Sequence, residues 1–265
     1  MKNNDISSVI SQWSLPEDGA LLERIEQMIQ PALLSGVFGQ SATLLLCGLQ
    51  WHLGGAKDTE ELAELAGVTS DDRALDVCCF LGGPAVQLAS DYGCHITGID
   101  INEPFIAAAT RIASLAGLES LLEFRVADAA DLPFPEGHFT VVWSQASAAH
   151  DDAWLRECDR VLRPGGRLAI TIQTSPPPDP WSLPAITERL TDEGYTLLHT
   201  EDLASREIEL GWRALDAKLT TNETLYTEAL GKAWVNATHE RFAVEITRMQ
   251  AGEWSNGRIV ARKNH

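Results

Sequence analysis

The stretch ALDVCCFLGGPAVQLAS, residues 74–90, followed by GCHITGID, residues 93–100, constrains this chain more than any other segment. An apolar strand carrying Asp76 runs into a glycine-bearing turn, then a helix, then a second strand that closes on Asp100. This is the opening βαβ unit of a nucleotide-binding α/β domain, with an acid where a ribose is gripped. The turn departs from the usual pattern. Where such loops read Gly-x-Gly-x-Gly, this one reads Cys78-Cys79-Phe80-Leu81-Gly82, so a phenyl ring stands where backbone normally approaches a ligand.

Alternation continues downstream. Leu75 to Cys79 is expected as strand one, His95 to Asp100 as strand two, Leu122 to Val126 as strand three, Phe139 to Ser144 as strand four and Arg167 to Ile172 as strand five. Helices are expected over Pro84 to Ser90, Pro104 to Ala116 and Ala153 to Leu162 between them, which implies a largely parallel sheet covered on both faces. After the Pro-rich break SPPPDPW comes a further helix–strand pair, then about fifty residues of mostly helical pattern. A last strand, Gly257 to Lys263, follows an Asn256-Gly257 turn signal. Residues 1–70 read as a helical cap: Leu21, Leu22, Ile25, Met28 and Ile29 recur at helical spacing, and Thr59 precedes an acidic first turn.

A net charge of -18 repels polyanions, so nucleic acid is not expected as a partner. The acidity reads as solubility or as a field favouring cationic small molecules. Five cysteines without disulfide-framework spacing point to a reducing cytoplasm. The opening residues lack a secretory apolar core, and no apolar run is long enough to span a membrane.

Two further elements complete the pattern. In ADAADLPFPEGHFTVVWS, residues 127–144, Asp128 follows strand three, where it can accept from an adenine amino group; RVLRPGGRLAITIQ, residues 160–173, is a helix end, a Pro-Gly-Gly turn and an apolar strand. In this order and spacing the four elements resemble the class I S-adenosylmethionine-dependent methyltransferases over nearly the whole chain. An NAD-type dinucleotide fold is the competing reading, against which stand the missing glycines and RVLRPGG. The resemblance implies a Rossmann-like seven-stranded sheet with its last strand antiparallel, an N-terminal helical cap over residues 1–70, and a methyltransferase domain over 71–265 with a helical lid insertion at about 203–253. By position, Asp76, Gly82 and the loop residues Cys78 and Phe80 fall to the methionine end of S-adenosylmethionine, Asp100 to its ribose and Asp128 to its adenine; Ile101, Ala129 and Ser144 complete the expected donor set. The product would be S-adenosylhomocysteine.

WSQASAAHD, LGGPAVQLA and HLGG (His52 to Gly55) narrow the resemblance to the sarcosine/dimethylglycine N-methyltransferase branch and related small-molecule enzymes. There, a glutamine and a histidine at the spacing of Gln145 and His150 face the donor methyl, which makes these two the expected catalytic residues. An acid commonly follows the glutamine; here Ala146 stands instead, which loosens the inference to an amine acceptor. His150 reads either as a general base or as a polar residue at a helix start. Of the eight tryptophans, Trp51, Trp143 and Trp181 fall in segments expected near the cleft, as substrate faces or as core. The Cys78–Phe80 loop leaves three readings open: a compensated donor loop, a degenerate non-catalytic site, or vicinal thiols for a soft metal or metalloid. A small-molecule acceptor and no resident metal are expected, with a non-catalytic binding protein as the alternative; oligomeric state is not legible.

Overall fold

The computed structural model describes residues 49–147 and 152–265. The helical spacing of Leu21 to Ile29 and the whole segment around His150 lie outside the described residues. Among those described, seven strands form one sheet: β1 (Arg73–Val77), β2 (His95–Asp100), β3 (Leu122–Val126), β4 (Phe139–Ser147), β5 (Leu162–Thr174), β6 (Tyr195–Asp202) and β7 (Ser255–Lys263). Their order is β3-β2-β1-β4-β5-β7-β6. The pairings among β1 to β5 are parallel, whereas β7 runs antiparallel to both β5 and β6. The sheet is therefore Rossmann-like with its last strand reversed.

Period-two alternation sorts side chains onto two faces. Leu75, Val77, Val142, Leu168 and Ile170 join Trp154, Leu155, Ile186 and Leu190 of α4 (Asp152–Val161) and α5 (Leu183–Asp192). Their neighbours Ala74, Val141, Trp143 and Ala169 face the opposite way, against Leu62, Ala63 and Leu88 of α1 (Gly55–Ala66) and α2 (Gly83–Tyr92) and Ala113 of α3 (Glu103–Leu115). Fully burying a side chain such as Leu75 or Val142 contributes about 1.5–3 kcal/mol.

Between β6 and β7 the chain forms the helical insertion. It comprises α6 (Ala204–Glu207), which runs on through a π-helical turn at Ile208–Trp212, then α7 (Arg213–Thr221), α8 (Glu223–Leu230) and α9 (Lys232–Gln250). These helices have a core of their own, built from Trp212, Leu219, Tyr226, Val235, Phe242 and Met249, and Leu53 from the segment before α1 packs into it.

Several boundaries differ from the sequence expectation; β5 begins at Leu162 rather than Arg167, so the residues expected as a Pro-Gly-Gly turn belong to the strand. β1 begins and ends two residues early, because Cys78 turns into the left-handed region (φ 61) and stops it. β4 runs on past Ser144 to Ser147 with a register shift between Gln145 and Ser147. Asn256 and Gly257 are not a turn but residues of β7, paired with Gln173 and Ile172.

A buried ion-pair cluster ties the layers together. Arg258 of β7 pairs with Asp58 of α1, both nearly excluded from solvent, and reaches Glu201 of β6 at 3.1 Å and Glu61 of α1 at 3.4 Å. Arg206 of α6 meets Glu61 at 2.5 Å. Removing one partner of a buried pair leaves an uncompensated charge, a loss of about 3–5 kcal/mol. Arg258→Leu is therefore expected to lower unfolding free energy by about that amount in chemical denaturation. Glu201→Gln, at a partly exposed site, should cost under about 1 kcal/mol.

Candidate active site

A cavity of about 350 Å³ opens where the chain reverses direction across the sheet, between β1 and β4. That switch point is where open α/β sheets bind ligands. The polar lining follows the strand order β2-β1-β4-β5-β7: Asp100, Asp76, Gln145, Gln173, Asn256. Carboxylates occupy one end and neutral amides the other. Trp51, Phe80, Trp212, Trp254, Leu49 and Leu53 supply apolar walls, all but Phe80 from segments flanking the sheet.

Among the described residues, the non-glycine positions with positive φ are Cys78 (61), Phe80 (53) and Ala146 (55), and all three line this cavity. Left-handed backbone costs an L-residue roughly 1–2 kcal/mol, and such strain concentrates at functional sites. The Phe80 ring is placed by aromatic neighbours: its centroid lies 4.6 Å from that of Trp51 and 4.7 Å from that of Phe105, the latter edge-on. Ala146 is the irregular residue at the tip of β4, a bulge that re-aims the side chains beside it. The following turn needs glycine outright. A Cβ on Gly83 would lie 2.1 Å from the carbonyl oxygen of Leu49, so only glycine lets the segment before α1 lie against the start of α2.

Asp76 is buried, and its Oδ2 has no hydrogen-bond partner. Burial, with the charge of Asp100 added, pushes its carboxyl up to about 8. A buried, unpartnered carboxyl in a cavity wall suits a cationic hydrogen-bond donor. Asp100 is held differently. The Phe80 amide donates to its Oδ2 at 3.2 Å and the Asn102 amide to its Oδ1 at 2.9 Å, which orients the carboxylate and leaves lone pairs on both oxygens.

Gln145 is locked. Its Oε1 accepts from Thr59 Oγ1 at 2.9 Å and from Trp143 Nε1 at 3.2 Å, while its Nε2 donates to Asp58 Oδ2 at 3.1 Å. His52 joins this cluster. Its Nε2 lies 3.0 Å from Gln50 Oε1 and 3.1 Å from Thr59 Oγ1, and its Nδ1 lies 3.2 Å from the carbonyl of Leu53. Burial lowers the His52 pKa, disfavouring the charged ring.

Of the residues singled out from sequence, Trp51, Asp76, Cys78, Phe80, Asp100 and Gln145 come together in the cavity. Gly82 caps α2 in the left-handed region (φ 75). Ile101, 73% exposed, lies at the tip of β2; Asp128, with Oδ1 taking the Ala130 amide at 2.9 Å, lies just after β3, and Ala129 beside it packs on the core. Three expectations are corrected. Trp143 is fully buried, because the pleat turns it to the α1–α2 face, and it reaches the cavity only through Gln145. Ser144 is equally buried, its Oγ donating to the Val77 carbonyl at 2.9 Å between strands. Trp181 lies away from the cavity beneath the Arg189 guanidinium, 4.6 Å from the ring centroid.

Sequence reasoning missed Trp212, Trp254, Gln173 and Asn256 as cavity residues. Nothing local marks them, since each comes from a different element. The thiols also behave differently from a vicinal metal-binding pair. Burial, then the charges of Asp100, Asp76 and Asp128, push Cys78 up to about 12, and burial also raises Cys79 well above the ordinary thiol value, so neither offers a thiolate near neutral pH.

The "Methyltransferase domain" family matches residues 75–170. The 27-O-demethylrifamycin SV methyltransferase of Amycolatopsis mediterranei is 34% identical over 187 residues, 69% of this chain and 67% of that protein. Other curated relatives are matched over only 43% and 34% of their own lengths. Among solved structures, the Haemonchus contortus phosphoethanolamine N-methyltransferase 2, in complex with phosphomonomethylethanolamine and S-adenosylhomocysteine, shares the fold. The TM-score is 0.77 at 17% identity, over 91% of this chain and 60% of that one. The [4+2]-cyclase SpnF matches with a TM-score of 0.66 at 25% identity, over 91% and 94%.

Two expected outcomes follow from the loop and from Asp76. Cys78→Gly relieves left-handed strain at a side chain lining the cavity wall and should stabilise by roughly 1 kcal/mol, whereas Phe80→Gly loses a buried ring worth about 3–5 kcal/mol and should destabilise despite the same relief. Denaturation midpoints decide. For Asp76, the folded carboxyl titrates near 8 against 3.8 when solvated, so the folded state holds the extra proton between those values. Its contribution is complete below about 4 and is lost as pH rises toward 8. Asp76→Asn should flatten the fall in unfolding free energy between pH 6 and pH 8; an unchanged slope would contradict this.

Proposed function

The chain belongs to the class I S-adenosylmethionine-dependent methyltransferases, and on that premise we propose that it methylates a hydroxyl group of a small, uncharged acceptor with an apolar body. The donor supplies an activated methyl group on a sulfonium. Everything else is alignment and exclusion of water, and this is what the chain contributes.

The residues present fit that donor. The unpartnered Oδ2 of Asp76 matches an ammonium at the methionine end, with the Cys78–Gly82 loop beside it. The oriented carboxylate of Asp100 matches two ribose hydroxyls, and Ile101, Asp128 and Ala129 on the next two loops are assigned to the adenine.

The observation that carries the acceptor reading is the division of the cavity. Its carboxylates stand on β1 and β2, and the end under the lid is lined by Gln173, Asn256, Trp212 and Trp254. A protonated amine there would lack a counter-charge, at a cost that a neutral hydroxyl avoids. This departs from the amine that the sarcosine/dimethylglycine resemblance suggests. The named acceptors of the relatives support either atom: an O-demethylated rifamycin for one, a phosphorylated amine bound in another. Gln145, held on three sides, is assigned to positioning at the methyl-transfer point, and His150 to taking the acceptor proton. His52, with both ring nitrogens already against oxygens of the chain, is assigned to holding Thr59 and hence Gln145.

Asp100→Ala is expected to weaken S-adenosylhomocysteine binding by about 1.5–3 kcal/mol, roughly 10- to 150-fold, in calorimetry. Assaying the wild-type protein for S-adenosylhomocysteine release with matched phenols, alcohols and amines tests the acceptor. Turnover confined to amines would overturn the hydroxyl reading and leave the donor reading standing.

A further inference from the structure

Gln145 carries an amide whose two ends the structure tells apart. Trp143, fully buried, places its indole Nε1 3.2 Å from one end of that amide. An indole nitrogen donates and cannot accept, so this end is the carbonyl oxygen, Oε1, whatever the charge of the neighbouring groups. The Thr59 hydroxyl donates to the same oxygen at 2.9 Å and takes its second lone pair. Nε2 is therefore the opposite end, and one of its two hydrogens goes to Asp58 Oδ2 at 3.1 Å. The second hydrogen has no partner among the described residues. Gln145 is half-buried and lines the cavity midway along the polar row, between Asp76 on the donor side and Gln173 on the lid side. To a ligand in that cavity its amide offers a hydrogen and no lone pair.

We infer that the second Nε2 hydrogen of Gln145 is a specificity-determining donor that reads an oxygen lone pair on the methyl acceptor. The inference rests on the methyl-transfer reading and deepens it by defining what the acceptor must present in the middle of the cavity: an oxygen with a lone pair free, as a hydroxyl or a carbonyl has. An ammonium has only hydrogens to donate and no lone pair, so it would set hydrogen against hydrogen at this point. An isostere without the oxygen leaves a desolvated N–H unsatisfied, which is the physical basis of rejection. The same amide is anchored through Asp58 to Arg258 of β7, so the donor is held by the ion-pair cluster that joins α1 to the sheet.

Two fluorinated probes of nearly equal shape test this. The carbonyl oxygen of 4-fluoroacetophenone accepts, and the molecule has no polar hydrogen; 4-fluoro-α-methylstyrene has a methylene in place of that oxygen. Both are titrated by fluorine NMR into the full chain saturated with S-adenosylhomocysteine. The wild-type protein is expected to bind the ketone about fivefold more tightly. Gln145→Glu keeps the length of the side chain and has no hydrogen for the cavity in either protonation state: an ionised carboxylate has none, and a protonated one gives its single hydrogen to Asp58. It should bring the two affinities to within about twofold of each other. Gln145→Met, which removes both ends of the amide, should do the same and carries the test if Gln145→Glu does not fold, with retained S-adenosylhomocysteine binding as the criterion of folding. Equal or undetectable affinity of both probes for the wild-type complex overturns the inference. So does a full preference surviving in either folded variant, which would move the reading to the amides of Gln173 or Asn256 in the same cavity. Failure of the wild-type protein to bind S-adenosylhomocysteine is a separate result and strikes the donor reading instead.

Discussion

The pairing of Asp58 with Arg258 joins the start of the described chain to its final strand, 200 residues apart, and much of the site hangs from it. Asp58 pairs with the buried guanidinium of Arg258, and its second oxygen takes the amide of Gln145. Arg258 in turn gathers Glu201 and Glu61, and Glu61 holds Arg206 of the lid. One charge cluster thus sets the height of α1 over the sheet, the rotamer of Gln145 and the root of the helical insertion. Buried ion pairs are a weak source of net stability, but breaking one is costly, so the arrangement favours a single registration of α1, sheet and helical insertion.

Around that fixed frame, the cavity is where backbone economy is relaxed. Cys78, Phe80 and Ala146 accept left-handed conformations that glycine would take without cost. At Phe80 the compensation is visible. The ring joins Trp51 of the segment before α1 to Phe105 of α3, so a residue unfavourable for the turn becomes favourable for packing. Ala146 has no such partner among the described residues, and its benefit is the bulge that separates Gln145 from the regular ladder of β4. Carboxylates add a second tension. Asp76 and Asp100 face one cavity, and the more deeply buried of them holds its proton to about 8.

The order of the sheet was legible because it depends on local pattern. His95–Asp100 and Leu122–Val126 stand where apolar runs and acids place them, and the reversed last strand follows from the resemblance. Boundaries slipped where a single residue's torsion outweighed propensity, as at Cys78, or where a paired neighbour extended a strand through Asn256-Gly257, a dipeptide that read as a turn. The donor-side set Asp76, Cys78, Phe80 and Asp100 was readable for the same reason: it comes from two adjacent strand ends with fixed spacing.

By itself, then, the amino-acid sequence determined the α/β class, the strands that end in acids and the half of the cavity those acids line, because each depends on contacts a few residues apart. Tertiary structure alone decided the other half. Trp143, Ser144 and Trp181 have the composition of site residues, yet pleat direction and interstrand bonding turn the first two inward, and packing under Arg189 holds the third aside. Trp212, Trp254, Gln173 and Asn256 carry no local signal and meet only because antiparallel β7 returns beside β5 and brings the lid with it. Which face a side chain takes, and which distant element closes over it, is fixed by register and packing, and neither is encoded in spacing along the chain.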